Sequence, residues 1–540
     1  MYESTARPAH TDDEPARRHR LLGVVLALAA GFGSTSIEAA KLDLGTASIA
    51  DLQAAMNSGA LTSEKLVALY LARIDAYDQK GPKLNTLITL KARDAALSEA
   101  RALDTERKAG KVRGPLHGIV VLAKDVYDTK DMPTSGGFKP MATSQPIYDS
   151  FVIGRLRAAG AIILGKLNQS DWYGVANQGA STLQGQVLSP YNAKKLTGYS
   201  SSGTGAAMAA WFGTVGLGSD TGGSITIPSS NSNLVGFAMS HGLVSRTGMM
   251  WSSPRQENGG PMCRSVYDCA AVLDVIAGYD AADLATEASV GRMPDQSYVS
   301  YVKKDGLVGA RVGVLRQMVR AGDVHAEGRA LFEKAVQDVR KAGAMVVDPV
   351  TVEFDLVQAQ MDAAAANFER AVAIDKYLAA LPQDAPVRTV AEMIDKGGKL
   401  VKPGIIETAH DPRPLERHPD LIAAYRQQDM IRSALVALMD RYQLDALILP
   451  FRTAPIQAIG NNEPMTKDTR NSLSSYTGLP TIIVPGGFFP ADGMPFGLQF
   501  LGRPFTEPML IKLASGYEAA THHRKAPTST PALAGETMTY

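Results

Sequence analysis

The stretch VGVLRQMVRAGDVHAEGRALFEKAVQDVRKAGAMVVDPV, residues 312–350, decides the fold class. Val312 to Leu315 is a short apolar run of strand length. His325 to Gly343 carries apolar residues at helical spacing, with Gly343 as its stop, and Ala344 to Val350 is strand-like again. Strand, amphipathic helix and strand in succession form the repeating unit of α/β sheets. The alternation continues outward. Toward the N-terminus, Ile119 to Ala123 (IVVLA) reads as a strand ending at Lys124, Val152 to Ala159 as a helix, and Ile162 to Leu164 as the start of a strand. Ile49 to Asp78 reads as one helix, and Glu99 to Lys111 as a charged helix end. Toward the C-terminus, Leu444 to Pro450 and Thr481 to Pro485 read as buried strands, and Phe354 to Arg413 is less regular. The expectation is one large α/β domain over residues 41–540 with a central sheet, and a variable helical region around 354–440.

With 540 residues, 45% of them hydrophobic, there is ample chain for a large core. A net charge of +1 leaves no basic excess for phosphate backbones, so no nucleic-acid partner is expected. Arg17, Arg18 and Arg20 precede the apolar run Leu21 to Ala30, which small and polar residues follow. That order reads as an export leader over residues 1–40, implying a periplasmic or secreted protein; an uncleaved N-terminal anchor is the other reading. The run is too short to span a bilayer comfortably, and no stable membrane insertion is expected after leader removal. The two cysteines, Cys263 and Cys269, form no CxxC pair and have no His cluster nearby, so a zinc or other metal site is not expected. Separate buried thiols and a local disulfide both stay open.

Residues 197–228, TGYSSSGTGAAMAAWFGTVGLGSDTGGSITIP, carry two features that fit acyl transfer. In Asp220-Thr221-Gly222-Gly223-Ser224, paired glycines let the backbone turn its N–H groups inward beside a serine, as a nucleophile with an oxyanion site requires. In Ser200-Ser201-Ser202, a hydroxyl can both donate and accept, and so relay a proton. None of the nine histidines lies in this segment, and the G-x-S-x-G elbow is missing because Ser202 and Thr226 stand two residues after Ser200 and Ser224. Lys124 is the other candidate base. At the end of an apolar strand its ammonium is poorly solvated, and desolvation favours the neutral amine. Each feature alone is common on protein surfaces.

Taken together, PLHGIVVLAKD (Pro115 to Asp125), SSSG (Ser200 to Gly203), DTGGSITIP (Asp220 to Pro228), GLVSRTG (Gly242 to Gly248) and GPMCRSVYD (Gly260 to Asp268) resemble the amidase signature family in order and spacing. Arg155 to Trp172 and Met494 to Pro504 also look like family segments, so the resemblance runs from about Ile49 to Ala520. It implies a single α/β domain around a mixed, largely parallel sheet flanked by helices. It implies a Ser-cisSer-Lys triad of Ser224 as nucleophile, Ser200 as bridge and Lys124 as base. The backbone amides of Thr221, Gly222, Gly223 and Ser224 would hold the oxyanion, with Ser201 and Asp220 supporting them. The implied reaction is hydrolysis of a small-molecule or peptide amide through an acyl-enzyme, releasing a carboxylate and ammonia or an amine, without a cofactor. Substrate-pocket candidates are Tyr199, Met361, Phe368 and Phe451, with Ile406 nearby.

One position departs from the family pattern. Gly198-Tyr199 stands where the family has Gly-Gly before the serine run, and the family's peptide bond ahead of the bridging serine is cis. Tyr199 either tolerates that bond, marks a different local geometry, or shapes specificity. Three rival readings are weaker. Gly160 to Lys166 fits G-x-x-x-x-G-K, but Leu167 follows where the Mg²⁺-binding hydroxyl belongs. A glutamyl-tRNA amidotransferase A-like subunit needs cytosolic partners, against the leader, and a non-catalytic relative has no use for all three triad positions. Activity mainly on carbamates or esters is a further alternative, and oligomeric state is open.

Overall fold

A computed structural model describes residues 41–173, 178–411, 413–461 and 471–540. The expected leader therefore lies outside the described residues, and residues 41–540 form one unit. The strands in chain order are β1 (Lys41–Asp43), β2 (Leu87–Leu90), β3 (Val120–Lys124), β4 (Ile162–Leu167), β5 (Ala180–Ser181), β6 (Gly185–Gln186), β7 (Val215–Asp220), β8 (Val235–Ala238), β9 (Asn258–Cys263), β10 (Arg311–Leu315), β11 (Met345–Val350), β12 (Ala446–Pro450), β13 (Thr481–Phe488), β14 (Pro495–Leu501) and β15 (Thr537–Thr539). Eleven of them form one mixed sheet in the order β11-β10-β12-β14-β13-β8-β9-β7-β3-β4-β2. Its parallel pairs lie in two blocks, β11-β10-β12 and β7-β3-β4. The strands between those blocks, and edge strand β2, pair antiparallel. Every residue of β3, β4 and β7 is buried, as expected of strands covered on both faces.

The main helices are α1 (Ile49–Asn57), α2 (Ser63–Ile74), α3 (Arg93–Lys108), α4 (Phe151–Ala158), α5 (Ser202–Ala209), α6 (Thr226–Asn231), α7 (Val266–Ile276) and α8 (Ala326–Lys341). There follow α9 (Leu356–Asp362), α10 (Ala366–Ala379), α11 (Val390–Gly397), α12 (Pro403–Ala409), α13 (Pro419–Arg441), α14 (Leu473–Thr477) and α15 (Glu507–Thr521). The decisive stretch is β10, α8 and β11, with Gly343 at φ 98° just past the helix. Helix α5 explains its own small residues. A Cβ on Gly203 would stand 2.3 Å from the Asn168 carbonyl oxygen, so only glycine allows that approach.

One expectation is corrected, and two rival readings fall. The single helix over 49–78 is two helices, because Gly59 takes φ 82° and Thr62 then caps α2 by accepting from the Lys65 amide at 3.0 Å. The G-x-x-x-x-G-K run is a turn at Gly160 followed by buried β4, where Lys166 pairs with Asp125 at 3.2 Å. The cysteines are buried free thiols, so the disulfide reading falls. Among the described residues no helix is long and apolar enough to cross a membrane.

The C-terminal segment is fastened by a buried ion pair. Arg73 of α2 lies 2.9 Å from Glu536, donates to the Ala210 carbonyl at 2.7 Å, and stacks over the Trp211 ring at 3.6 Å. Removing one partner strands a buried charge. Glu536→Ala is expected to cost about 3–5 kcal/mol, read as a lower denaturant midpoint; an unchanged midpoint would contradict the pairing.

Candidate active site

Lys124 is the last residue of β3 and Asp220 the last of β7, two adjacent parallel strands. The site thus forms at their carboxyl ends, the usual place for chemistry in α/β sheets. Lys124 is fully buried, and its Nζ donates to the Oγ of Ser200, to Ser201 Oγ at 2.9 Å and to Ser219 Oγ at 2.9 Å. Ser200 and Ser201 are buried too. Ser201 Oγ also donates to the Ser219 carbonyl at 3.3 Å, tying the serine triplet to β7 just ahead of the glycine turn.

The turn is held by its own aspartate. Asp220 accepts from the Gly223 amide at 2.7 Å and the Ile225 amide at 2.8 Å, and Ser475 of α14 donates to the same carboxylate. Ser224 lies between those two clamped amides and is half buried, whereas Lys124, Ser200 and Ser201 are buried. Gly223 has φ 103°, and a Cβ there would come within 2.5 Å of Ser472 Oγ. This explains the glycine next to the serine. Of the four amides expected at the oxyanion, that of Gly223 is committed to Asp220. Ser472 donates its hydroxyl to the Gly222 carbonyl at 3.1 Å and its backbone amide to Gln360 Oε1 of α9 at 3.1 Å.

Burial pushes the Lys124 amine down from 10.5 to about 7, while the carboxylates of Glu257 and Asp220 work against the shift. Burial pushes the Glu257 carboxyl upward, opposed by its bond from Thr221 and the charge of Lys124. A lysine in this state supplies the unprotonated amine that base catalysis needs.

The expected cis bond is not found. Among the described residues the cis peptide bond is Asp348–Pro349, so Tyr199–Ser200 is trans. A cis bond at a non-proline residue costs about 3 kcal/mol. Here the chain brings Ser200 to Lys124 without it. Tyr199 is buried in an apolar cluster with Leu196, Ile227, Phe451, Ile456, Ile483 and Met494, and its hydroxyl donates to Gln457. Of the pocket candidates, Tyr199 and Phe451 therefore share one cluster. Phe368 sits apart on α10, its ring 4.9 Å from that of His418. Met361 is half buried on α9, next to Gln360, and Ile406 of α12 packs on the main core.

Several residues of the site carry no sequence signal of their own. Ser219, Gln256, Glu257, Ser472 and Ser475 reach it only through the fold. The register of β7 against β9 pairs Asp220 with Asn258, and that alone could have placed Glu257 beside Thr221.

A family model described as Amidase matches residues 65–511. A probable amidase of Arabidopsis thaliana is 30% identical over 526 residues, covering 94% of this chain and 96% of that protein. The A subunit of a glutamyl-tRNA(Gln) amidotransferase from Symbiobacterium thermophilum is 32% identical over 497 residues, covering 89% and 97%. The native peptide amidase of Stenotrophomonas maltophilia is similar in structure, with a TM-score of 0.77 and 34% identity over 89% of this chain and 98% of that one.

Proposed function

The chain belongs to the amidase family and hydrolyses amide C–N bonds, and from that premise we propose the course of the reaction and the class of its substrate. Ser224 Oγ attacks the amide carbonyl as its proton passes to Ser200 Oγ, whose own proton passes to the neutral Nζ of Lys124. The other amides of the glycine turn face the oxyanion. The proton returns along the same path to the leaving nitrogen, which departs as ammonia or an amine. Water then releases the carboxylate by the reverse route. The observation that carries this reading is the buried contact of Lys124 with Ser200, at the foot of a turn whose serine stays half exposed.

For the substrate we favour peptide amides, on the likeness to peptide amidase along almost the whole of that chain. The experiment is a hydrolysis panel on purified protein, covering peptide amides, anilides, long-chain amides, carbamates and esters, with Ser224→Ala as control. Faster turnover of carbamates or esters than of every amide would move the substrate class. The reading as an amidotransferase component has support from the relative of that name. It requires glutaminyl-tRNA formation with partner proteins, and robust turnover of simple amides by the isolated chain would count against it. The Arg-led apolar run at the N-terminus supports export, tested by the N-terminal sequence and compartment of the mature chain.

A further inference from the structure

We propose that Arg452 binds a carboxylate carried by the substrate, beside the glycine turn, so that the preferred substrate is a peptide amide with an acidic side chain next to the amide that is cleaved. The proposal rests on the reading of this site as the place of amide hydrolysis. Arg452 is the second residue past the carboxyl end of β12. Its neighbour Phe451 is tied to the turn. The Phe451 carbonyl accepts from the Asn471 amide at 2.9 Å, and the next residue, Ser472, donates its hydroxyl to the Gly222 carbonyl at 3.1 Å. The Phe451 side chain packs in one cluster with Ile227 of α6 and with Tyr199, which precedes Ser200. The Arg452 guanidinium lies over the Phe451 ring, its Cζ 5.2 Å from the ring centre. The segment that follows is fastened to the stretch ahead of the serine triplet. The Leu196 amide donates to the Gln457 carbonyl at 3.0 Å, Lys195 Nζ to the Ile456 carbonyl at 2.8 Å, and the Tyr199 hydroxyl to the Gln457 side chain.

Arg452 is only 6% exposed, yet among the described residues its guanidinium has neither a hydrogen bond nor a carboxylate partner, and its Nε is sealed from solvent. Other buried arginines of the chain are satisfied. Arg73 pairs with Glu536, and Arg264 donates to the Gly213 carbonyl at 2.8 Å. Burial pushes the titration of Arg452 down from 12.5 to about 10, which still leaves it charged at neutral pH. A buried charge without a partner is costly, and a buried polar group left unmatched beside an active site points to a ligand that matches it. A neutral carbonyl would supply an acceptor but no counter-charge. A carboxylate supplies both, and its two oxygens fit the guanidinium fork in parallel bonds.

The test is a set of dipeptide amides that differ only in the last side chain, glutamate, leucine or lysine, with ammonia release read as kcat/KM. In the wild type the glutamate amide is expected to lead the leucine amide by about tenfold or more, with the lysine amide last. In Arg452→Met, which keeps the apolar stem and removes the charge, that lead falls by about tenfold or more, chiefly through KM, while the leucine amide is cleaved as before. The denaturant midpoint does not fall, because an unpaired buried charge has been removed. Equal kcat/KM for the glutamate and leucine amides in the wild type overturns the proposal, and so does a wild-type ratio in folded Arg452→Met. Should that variant not fold, Arg452→Lys decides. It keeps the charge and loses the fork, so the lead must shrink, and an unchanged lead is equally fatal. Ser224→Ala runs alongside: if it still cleaves the leucine amide, the assignment of the reacting serine has failed, whereas cleavage that depends on Ser224 with an unaltered ratio in Arg452→Met sinks only the carboxylate subsite.

Discussion

With Ser224 replaced by alanine, amide hydrolysis falls by about 10⁴-fold or more while the denaturant midpoint stays at the wild-type value. The two halves of this result have separate causes. Activity is lost because, in the proposed mechanism, no other hydroxyl stands between clamped amides with an open side toward solvent. Stability is kept because Ser224 is half buried and the turn is held by others: Asp220 keeps the Gly223 and Ile225 amides, and Ser472 keeps the Gly222 carbonyl. Steady-state rates and a denaturant titration on the same preparation check both. Near-normal turnover would remove Ser224 from the mechanism, and a lost fold would remove the claim that the turn is held from outside.

The second large effect is at Lys124. Lys124→Met keeps most of the side-chain volume and deletes the amine, and turnover is expected to fall by about 10³-fold or more, as when a general base and its relay are lost together. Stability is expected to hold, because an apolar side chain in a fully buried position avoids the desolvation cost of an ammonium. The wild-type pH profile follows from the same group. In the proposed mechanism the reaction uses neutral Lys124, and burial lowers its pKa from 10.5 to about 7. kcat/KM should therefore climb with pH through that region and level off above it. An amine at its ordinary value would leave the rate still climbing beyond about pH 9.

How much of this could be read beforehand differs by residue. The unit β10-α8-β11 was legible because its apolar period changes from strand to helix and back within a short length of chain. Lys124 stood out because an apolar run ends on a charge, and Ser224 because two glycines precede it. The single helix drawn over residues 49–78 failed because apolar spacing continues through Gly59 and Thr62, where a left-handed turn and a cap outweigh it. Glu257, Gln256 and Ser219 were illegible for another reason. Their roles come from strand pairing between β7 and β9, which brings together residues some 35 positions apart and leaves no local pattern. Tyr199 was noticed as a departure, but its burial with Phe451 and Ile227 depends on the residue that follows β12 and on α6 coming together far from it in sequence. Phe368, chosen for lying in the variable region, belongs to a separate cluster with residues of α13.

The most direct measurement is to trap the acyl-enzyme. A slowly released acyl donor, or a serine-directed organophosphorus reagent, is reacted with the protein, and the modified peptide is mapped by mass spectrometry in wild type and in Lys124→Met. The account predicts one adduct per chain, on Ser224, forming far more slowly without Lys124. An adduct on a different residue, or labelling of Ser224 at full speed in Lys124→Met, would contradict it.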